Sequence, residues 1–198
     1  MSNETNIMRG QTSSGSYVEW SAIFGGAVLA LAISAVFLQF GAAIGLSVDS
    51  PYRHDELTAA GAFAIGVWLL WVQISASFAG GYLAGRMRKP VSFSDSHERE
   101  MRDGMHGLLT WAASTVAVVI AAAVAGAFAT LTAHDPQAVD ITPEIEHLRH
   151  SAMVIFAFGA AASSFVSGAA SWWAATKGGE HRDDPVAYKH HHVSFRKG

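Results

Sequence analysis

Residues 20–46 read WSAIFGGAVLALAISAVFLQFGAAIGL. The only polar breaks in this run are serines and Gln39. A helix needs about 20 apolar residues to cross the hydrocarbon core of a bilayer, and this stretch exceeds that length. A helix on the surface of a soluble domain would instead show a polar face recurring every ~3.6 residues. An apolar pattern on all sides at this length reads as a membrane-embedded helix. Only Arg9 provides a basic residue upstream, and the run is far longer than the apolar core of a secretory signal, so a retained helix is expected.

Three further stretches repeat the pattern at 58–85, 107–133 and 151–175. None of the four has Asp, Glu, Lys or Arg in its interior. The expected fold is therefore all-α: a polytopic membrane protein built as a four-transmembrane-helix bundle. Residues 1–19 and 176–198 are read as cytoplasmic tails, the second basic and histidine-containing. The fourth stretch is rich in alanine and serine, so it is expected to insert only marginally without its neighbours.

The chain has 198 residues, of which 51% are hydrophobic and 15% charged. A soluble domain averages about 25% charged. The absence of cysteine excludes disulfides, thiolate catalysis and cysteine zinc sites. A net charge of −3 gives no case for a nucleic-acid partner. Of the thirteen Lys and Arg, only Arg53 and Arg149 lie in the loops joining the first to the second stretch and the third to the fourth. The remaining eleven lie in the two tails and the central loop. The positive-inside rule places that side in the cytoplasm, with both termini. Tyr17, Trp20, Tyr82, Trp111, Trp172 and Trp173 fall near the same level, where amphipathic rings favour the interface.

Lipid removes the hydrophobic drive between helices, so close packing and hydrogen bonds must hold them together. Small residues recur at four-residue spacing: Ala22, Gly26, Ala30 and Ser34, then Gly41 and Gly45, in the first stretch. Ser77, Gly81 and Gly85 follow in the second, and Gly159, Ser163, Ser167 and Ser171 in the fourth. Each set lies on one slowly drifting helix face, and these residues are the candidate packing positions. A faint duplication accompanies them. Trp20 and Trp111 open the first and third stretches, and Ser77-Phe78 with Gly81 echoes Ser164-Phe165 with Gly168. Parallel repeats of this kind occur in transport proteins.

Candidate chemistry is sparse. Gln39 and Gln73 are the most polar groups well inside the spans, and they offer a polar path or, more simply, interhelical hydrogen bonds. Trp68 and Trp71, one turn apart, either line a pocket or fill gaps opposite glycine faces. In the central loop, Asp95 and Glu98 resemble a capping box that opens a short helix. His97, Glu100, Asp103 and His106 follow at three-residue intervals. A solvated charged face is the simpler reading of this set than a metal site, and His106, between Gly104 and Gly107, is the candidate interface switch. Glu144, His147 and His150 share the same spacing, and His190–His192 lie in the basic tail. No catalytic, cofactor-binding or metal-ligating residue is assigned, and no cofactor is expected.

SYVEWSAIFGGAVLALAIS, FGAAIGLSV, WLLWVQISASFAGGYLAGRM and RDGMHGLLTWA together carry a resemblance. Over about residues 16–131 the chain resembles an uncharacterised family of small four-helix inner-membrane proteins of alphaproteobacteria. Some members of that family carry the label "PhnA-like". The resemblance implies topology and location and carries over no catalytic residue. The functional expectation is a non-enzymatic structural or accessory subunit. Its partners would be the lipid bilayer and either further copies of itself or a larger membrane complex. The alternative is a small-solute transporter or channel component built from two parallel helix hairpins.

Overall fold

The computed structural model describes residues 16–46, 59–90, 95–132 and 143–183, leaving out the side chains of 59, 132, 143–149, 151–153 and 156. The described chain is all-helical. Helix α1 spans Trp20–Ala43, α2 Ala59–Met87, α3 Ser96–Thr132 and α4 Pro143–Asp183. Among the described residues, α1, α2 and α3 are long and apolar enough to cross a membrane, and α4 is not a candidate span. Its composition explains the difference. Charged residues crowd both ends of its sequence, and serine, glycine and alanine dilute the centre.

Three boundaries lie well beyond the expected ones, and one of them is the start of α4 at Pro143 rather than at 151. The central-loop helix is not separate: α3 begins at Ser96 and runs unbroken into the apolar stretch. Likewise α4 continues to Asp183, beyond the last apolar residue. No proline interrupts either junction, and the charged turns pack against neighbouring helices, so the backbone hydrogen-bond ladder continues. Glu98 does not complete the anticipated capping box. It accepts a hydrogen bond from the Tyr17 hydroxyl at 2.8 Å.

The first turn of α1, the last of α2, the first turns of α3 and the last of α4 meet at one end, here termed the basic end. The helices thus alternate in direction. Helices α2 and α3 each touch all the others, whereas α1 and α4 do not meet among the described residues. The α2–α3 pair therefore forms the short diagonal of a rhombus.

Glycines allow this packing by bringing backbones nearly into contact. A side chain at Gly26 would collide with the carbonyl of Gly80, and one at Gly80 with that of Gly26. The neighbouring Gly81 faces another way, onto the backbone of Ser171 in α4, followed one turn later by Gly85 against Ala175. Successive residues point about 100° apart around a helix, so the Gly80–Gly81 pair serves two neighbours at once. Gly178 and Gly179 repeat the device, facing the backbone of Tyr82 and the side chain of Asp103.

The buried apolar core is concentrated toward the basic half. Ala22, Ile23, Ala27, Ala30, Val72, Ala76, Ala84, Ala174 and Ala175 form the buried apolar core. In the opposite half α1 and α2 still meet through Gly41 and Trp68, whereas the outer parts of α3 and α4 are exposed. Every residue from 118 to 131 of α3 is exposed, as are 157–162 of α4.

Candidate functional site

Beyond the apolar spans, the basic end is held by a layer of buried charge. Arg88 follows the end of α2 and Asp103 lies in the second turn of α3; they are only 1% and 2% exposed. Asp103 is admitted because Gly179 of α4 has no side chain to occupy the same space. Arg88 Nε donates to Asp103 Oδ1. Arg182, from the end of α4, donates to both oxygens of Asp103 at 3.1 and 3.2 Å. Its Nε and Nη2 also grip Asp183 at 2.7 and 2.9 Å. Arg182 Nη1 further reaches the carbonyl of Gly85 at 2.7 Å, joining α4 to α2. The hydrogen bonds from Arg182 hold the Asp183 carboxyl below its ordinary value. Such pairs are favourable only when most of their hydrogen-bonding capacity is met, because burial strips both charges of water.

A second network anchors α1. His106 is buried, and its Nε2 accepts the backbone N–H of Glu19 at 3.0 Å. Its Nδ1 lies 2.7 Å from the carbonyl of Arg102, which can only accept, so the ring is the neutral Nδ1–H tautomer. The Glu19 carboxylate accepts the backbone N–H of Lys89 at 2.7 Å. Arg102 lies 4.4 Å from the centre of the Tyr17 ring and donates to the carbonyls of Tyr17 and Ser16. One histidine thus ties the start of α1 to α3, and Glu19 ties it to the exit of α2.

Farther along the helices the polar contacts are sparser. Gln73 donates to Ser164 at 3.1 Å and accepts from Ser163 at 3.0 Å, linking α2 to α4. Trp111 Nε1 donates to Ser167 at 3.0 Å, and Ser171 donates to the carbonyl of Gly107 at 2.7 Å. The serines at 163, 167 and 171 therefore bond α2 and α3 in turn rather than forming a free stripe. Trp68 and Trp71 stack at 5.6 Å, with Phe37 4.9 Å from Trp71. The Trp68 ring lies against Gly41, and its buried Nε1 meets no acceptor among the described residues.

The remaining anticipated residues separate into different roles. Gly26, Gly41, Gly81 and Gly85 stand at close helix contacts, and Ser77 is buried within α2. Gly45 is not on a packing face. It has φ 80° just after α1 ends, with Leu46 N–H bonded to Gly41 O and Gly45 N–H to Ala42 O. That is a Schellman terminator, which favours glycine for its left-handed backbone. A side chain at Gly159 would meet nothing within 4 Å. Ser34 is half-buried, and Gln39 is exposed on α1 while Gln73 is engaged with α4. His97 and Glu100 are exposed while Asp103 and His106 are buried, so the three-residue series divides in two. No group of three metal-ligating side chains occurs among the described residues. The His190–His192 run and the side chains of Glu144 and His147 lie outside the described residues.

The buried ion network was not anticipated from sequence, because Arg88, Asp103 and Arg182 are outside the apolar stretches and read as solvated. The available signal was glycine beyond the spans: Gly104, Gly178 and Gly179 continue the close-packing pattern into charged turns. No family model, curated protein or solved structure matches the chain.

Proposed function

We propose that the protein is a non-enzymatic, integral inner-membrane structural or accessory subunit. In this reading all four helices span the membrane, both termini are cytoplasmic, and the chain assembles laterally with further copies or with a larger membrane complex. The supporting observation is the contrast between its two halves. At the basic end, glycine contacts and buried ion pairs consume the packing surfaces. In the other half, residues 118–131 of α3 are exposed around the whole helix. Side chains at Gly66, Gly126 and Gly159 would meet nothing within 4 Å. Small residues that let backbones approach are the usual material of helix contacts in lipid.

This shifts the expected assembly surface. Gly81, Gly85, Ser167 and Ser171 are engaged within the chain, leaving the outer-half glycines to meet a neighbour. The basic loop and the charged ends of α2, α3 and α4 support the cytoplasmic placement of the basic end. The resemblance to small alphaproteobacterial membrane proteins agrees with that placement. Helix α4 has the weakest apolar span, and its contacts with α2 and α3 through Gln73, Trp111 and Gly107 support insertion as part of the bundle. No observation favours the transporter reading: Gln39 is exposed on α1, whereas Gln73 bonds Ser163 and Ser164 of α4.

Blue-native electrophoresis of gently solubilised membranes tests the proposal. The unsubstituted chain is expected in a species larger than one copy. Gly126→Leu with Gly159→Leu should reduce that species without lowering resistance to unfolding. A single-chain species from the unsubstituted protein would refute the reading.

A further inference from the structure

The cluster at the basic end carries more positive than negative charge. Arg88, Arg99 and Arg182 face Asp103 and Asp183, with Arg99 Nη1 3.9 Å from Asp183 Oδ2. Three of the guanidinium nitrogens are buried without a hydrogen-bond partner among the described residues: Nη1 and Nη2 of Arg88 and Nε of Arg99. Arg88 as a whole is 1% exposed. Buried charged donors left unbonded are strongly unfavourable, and native structures tolerate few of them.

The carboxylates paired with the cluster are already committed. Both oxygens of Asp103 accept from Arg88 or Arg182, and both oxygens of Asp183 accept from Arg182. Glu19 holds Lys89, Glu98 holds Tyr17, and Glu180 holds Lys177. What the cluster lacks is therefore an external anion with several acceptor oxygens. A guanidinium presents its donors as a planar fork suited to a phosphate or carboxylate edge. Arg88 directly follows the last turn of an apolar helix, at the depth where headgroup phosphates would lie in the transmembrane reading. Arg99 is more exposed, with 39% of its side chain accessible, and marks the open side of the cluster.

We propose that Arg88 and Arg99 form a binding site for one phosphate oxyanion at the basic end of the bundle. The two nitrogens of Arg88 would hold the inner oxygens and Arg99 Nε an outer one. The phosphate belongs either to an anionic lipid headgroup or to free inorganic phosphate. The site rests on the transmembrane reading but not on lateral assembly, so loss of phosphate binding and loss of assembly are separate outcomes.

The test uses the full chain in two arms. In the first, detergent-purified protein is heated with inorganic phosphate or with chloride at equal ionic strength. In the second, native mass spectrometry counts phosphatidylglycerol retained from mixed phosphatidylglycerol–phosphatidylcholine nanodiscs. Each arm compares the unsubstituted chain with Arg88→Lys, Arg99→Gln and the control Lys177→Gln. Arg88→Lys keeps the charge beside Asp103 and removes the fork, and Arg99→Gln alters only a partly exposed side chain, so folding is preserved in at least one variant. Binding is expected to weaken about tenfold in both variants and to be unchanged in Lys177→Gln, since each loses a charge-assisted hydrogen bond. A phosphate-dependent stabilisation identifies the free ion as sufficient, whereas phosphatidylglycerol retention alone identifies the headgroup. Failure to bind either probe, or an equal loss in Lys177→Gln, would overturn the proposal.

Discussion

Asp103→Asn is the most informative single substitution. The Asp103 carboxylate receives Arg88 Nε and two nitrogens of Arg182, and it is only 2% exposed. Asparagine preserves the shape and one acceptor oxygen but removes the charge. If the carboxylate acts only as a hydrogen-bond acceptor, the cost follows the ~0.6 kcal/mol average for bonds between membrane helices, giving under about 2 kcal/mol for the three contacts. If it compensates two buried arginines, the cost is that of breaking a buried ion pair, about 3–5 kcal/mol. The two accounts thus differ by at least about 1 kcal/mol, a factor of about five or more in the unfolding equilibrium. Reversible unfolding in mixed detergent–SDS micelles, followed by circular dichroism, measures the difference. Lys177→Ala sets the baseline: Lys177 pairs with Glu180 on the exposed surface, where a pair contributes about 1 kcal/mol or less. The expected result is that Asp103→Asn costs several times the baseline. A cost no larger than that of Lys177→Ala would refute the claim that the ion layer holds the basic end closed.

Other substitutions probe the remaining layers by the same unfolding assay. Gly81→Leu should destabilise by at least about 1–3 kcal/mol, because its side chain meets the backbone of Ser171. Gly159→Leu should leave unfolding unchanged, since the space around it is open. Gln73→Leu removes both hydrogen bonds to Ser163 and Ser164 and should cost about 1 kcal/mol. The Asp183 carboxyl is held below its ordinary value by its bonds to Arg182. Its contribution is therefore fully present above the ordinary carboxylate pKa of about 3.9 and is lost as pH falls through the lower folded value. Unfolding resistance should decline below about pH 4, and Asp183→Asn should flatten that decline.

The apolar spans were legible because lipid demands long uncharged runs, which leave a pattern no tertiary context erases. Close-packing glycines were partly legible. Four-residue spacing located Gly26, Gly81 and Gly85, but spacing alone could not separate a packing glycine from the helix terminator at Gly45, which depends on backbone angle. Nor could it tell an occupied face from the open one at Gly159, which depends on where the neighbouring helix ends. The charged layer was the least legible part. A sequence shows Arg88 and Asp103 as charges outside a span, and only the extension of α3 and α4 past the apolar stretches brings them under cover. Gln73 was recognisable as a packing group, while its partners at Ser163 and Ser164 required the register of α2 against α4.

The contrast between a closed basic half and an open opposite half is tested most directly by cross-linking in native membranes. The chain contains no cysteine, so single cysteines placed at 126 or 159 in the open half, and at 76 or 84 in the core, report without background. Oxidative or short bismaleimide cross-linking should give intermolecular adducts from 126 and 159 and none from 76 and 84. Adducts absent from 126 and 159, or equally abundant from all four positions, would contradict the account.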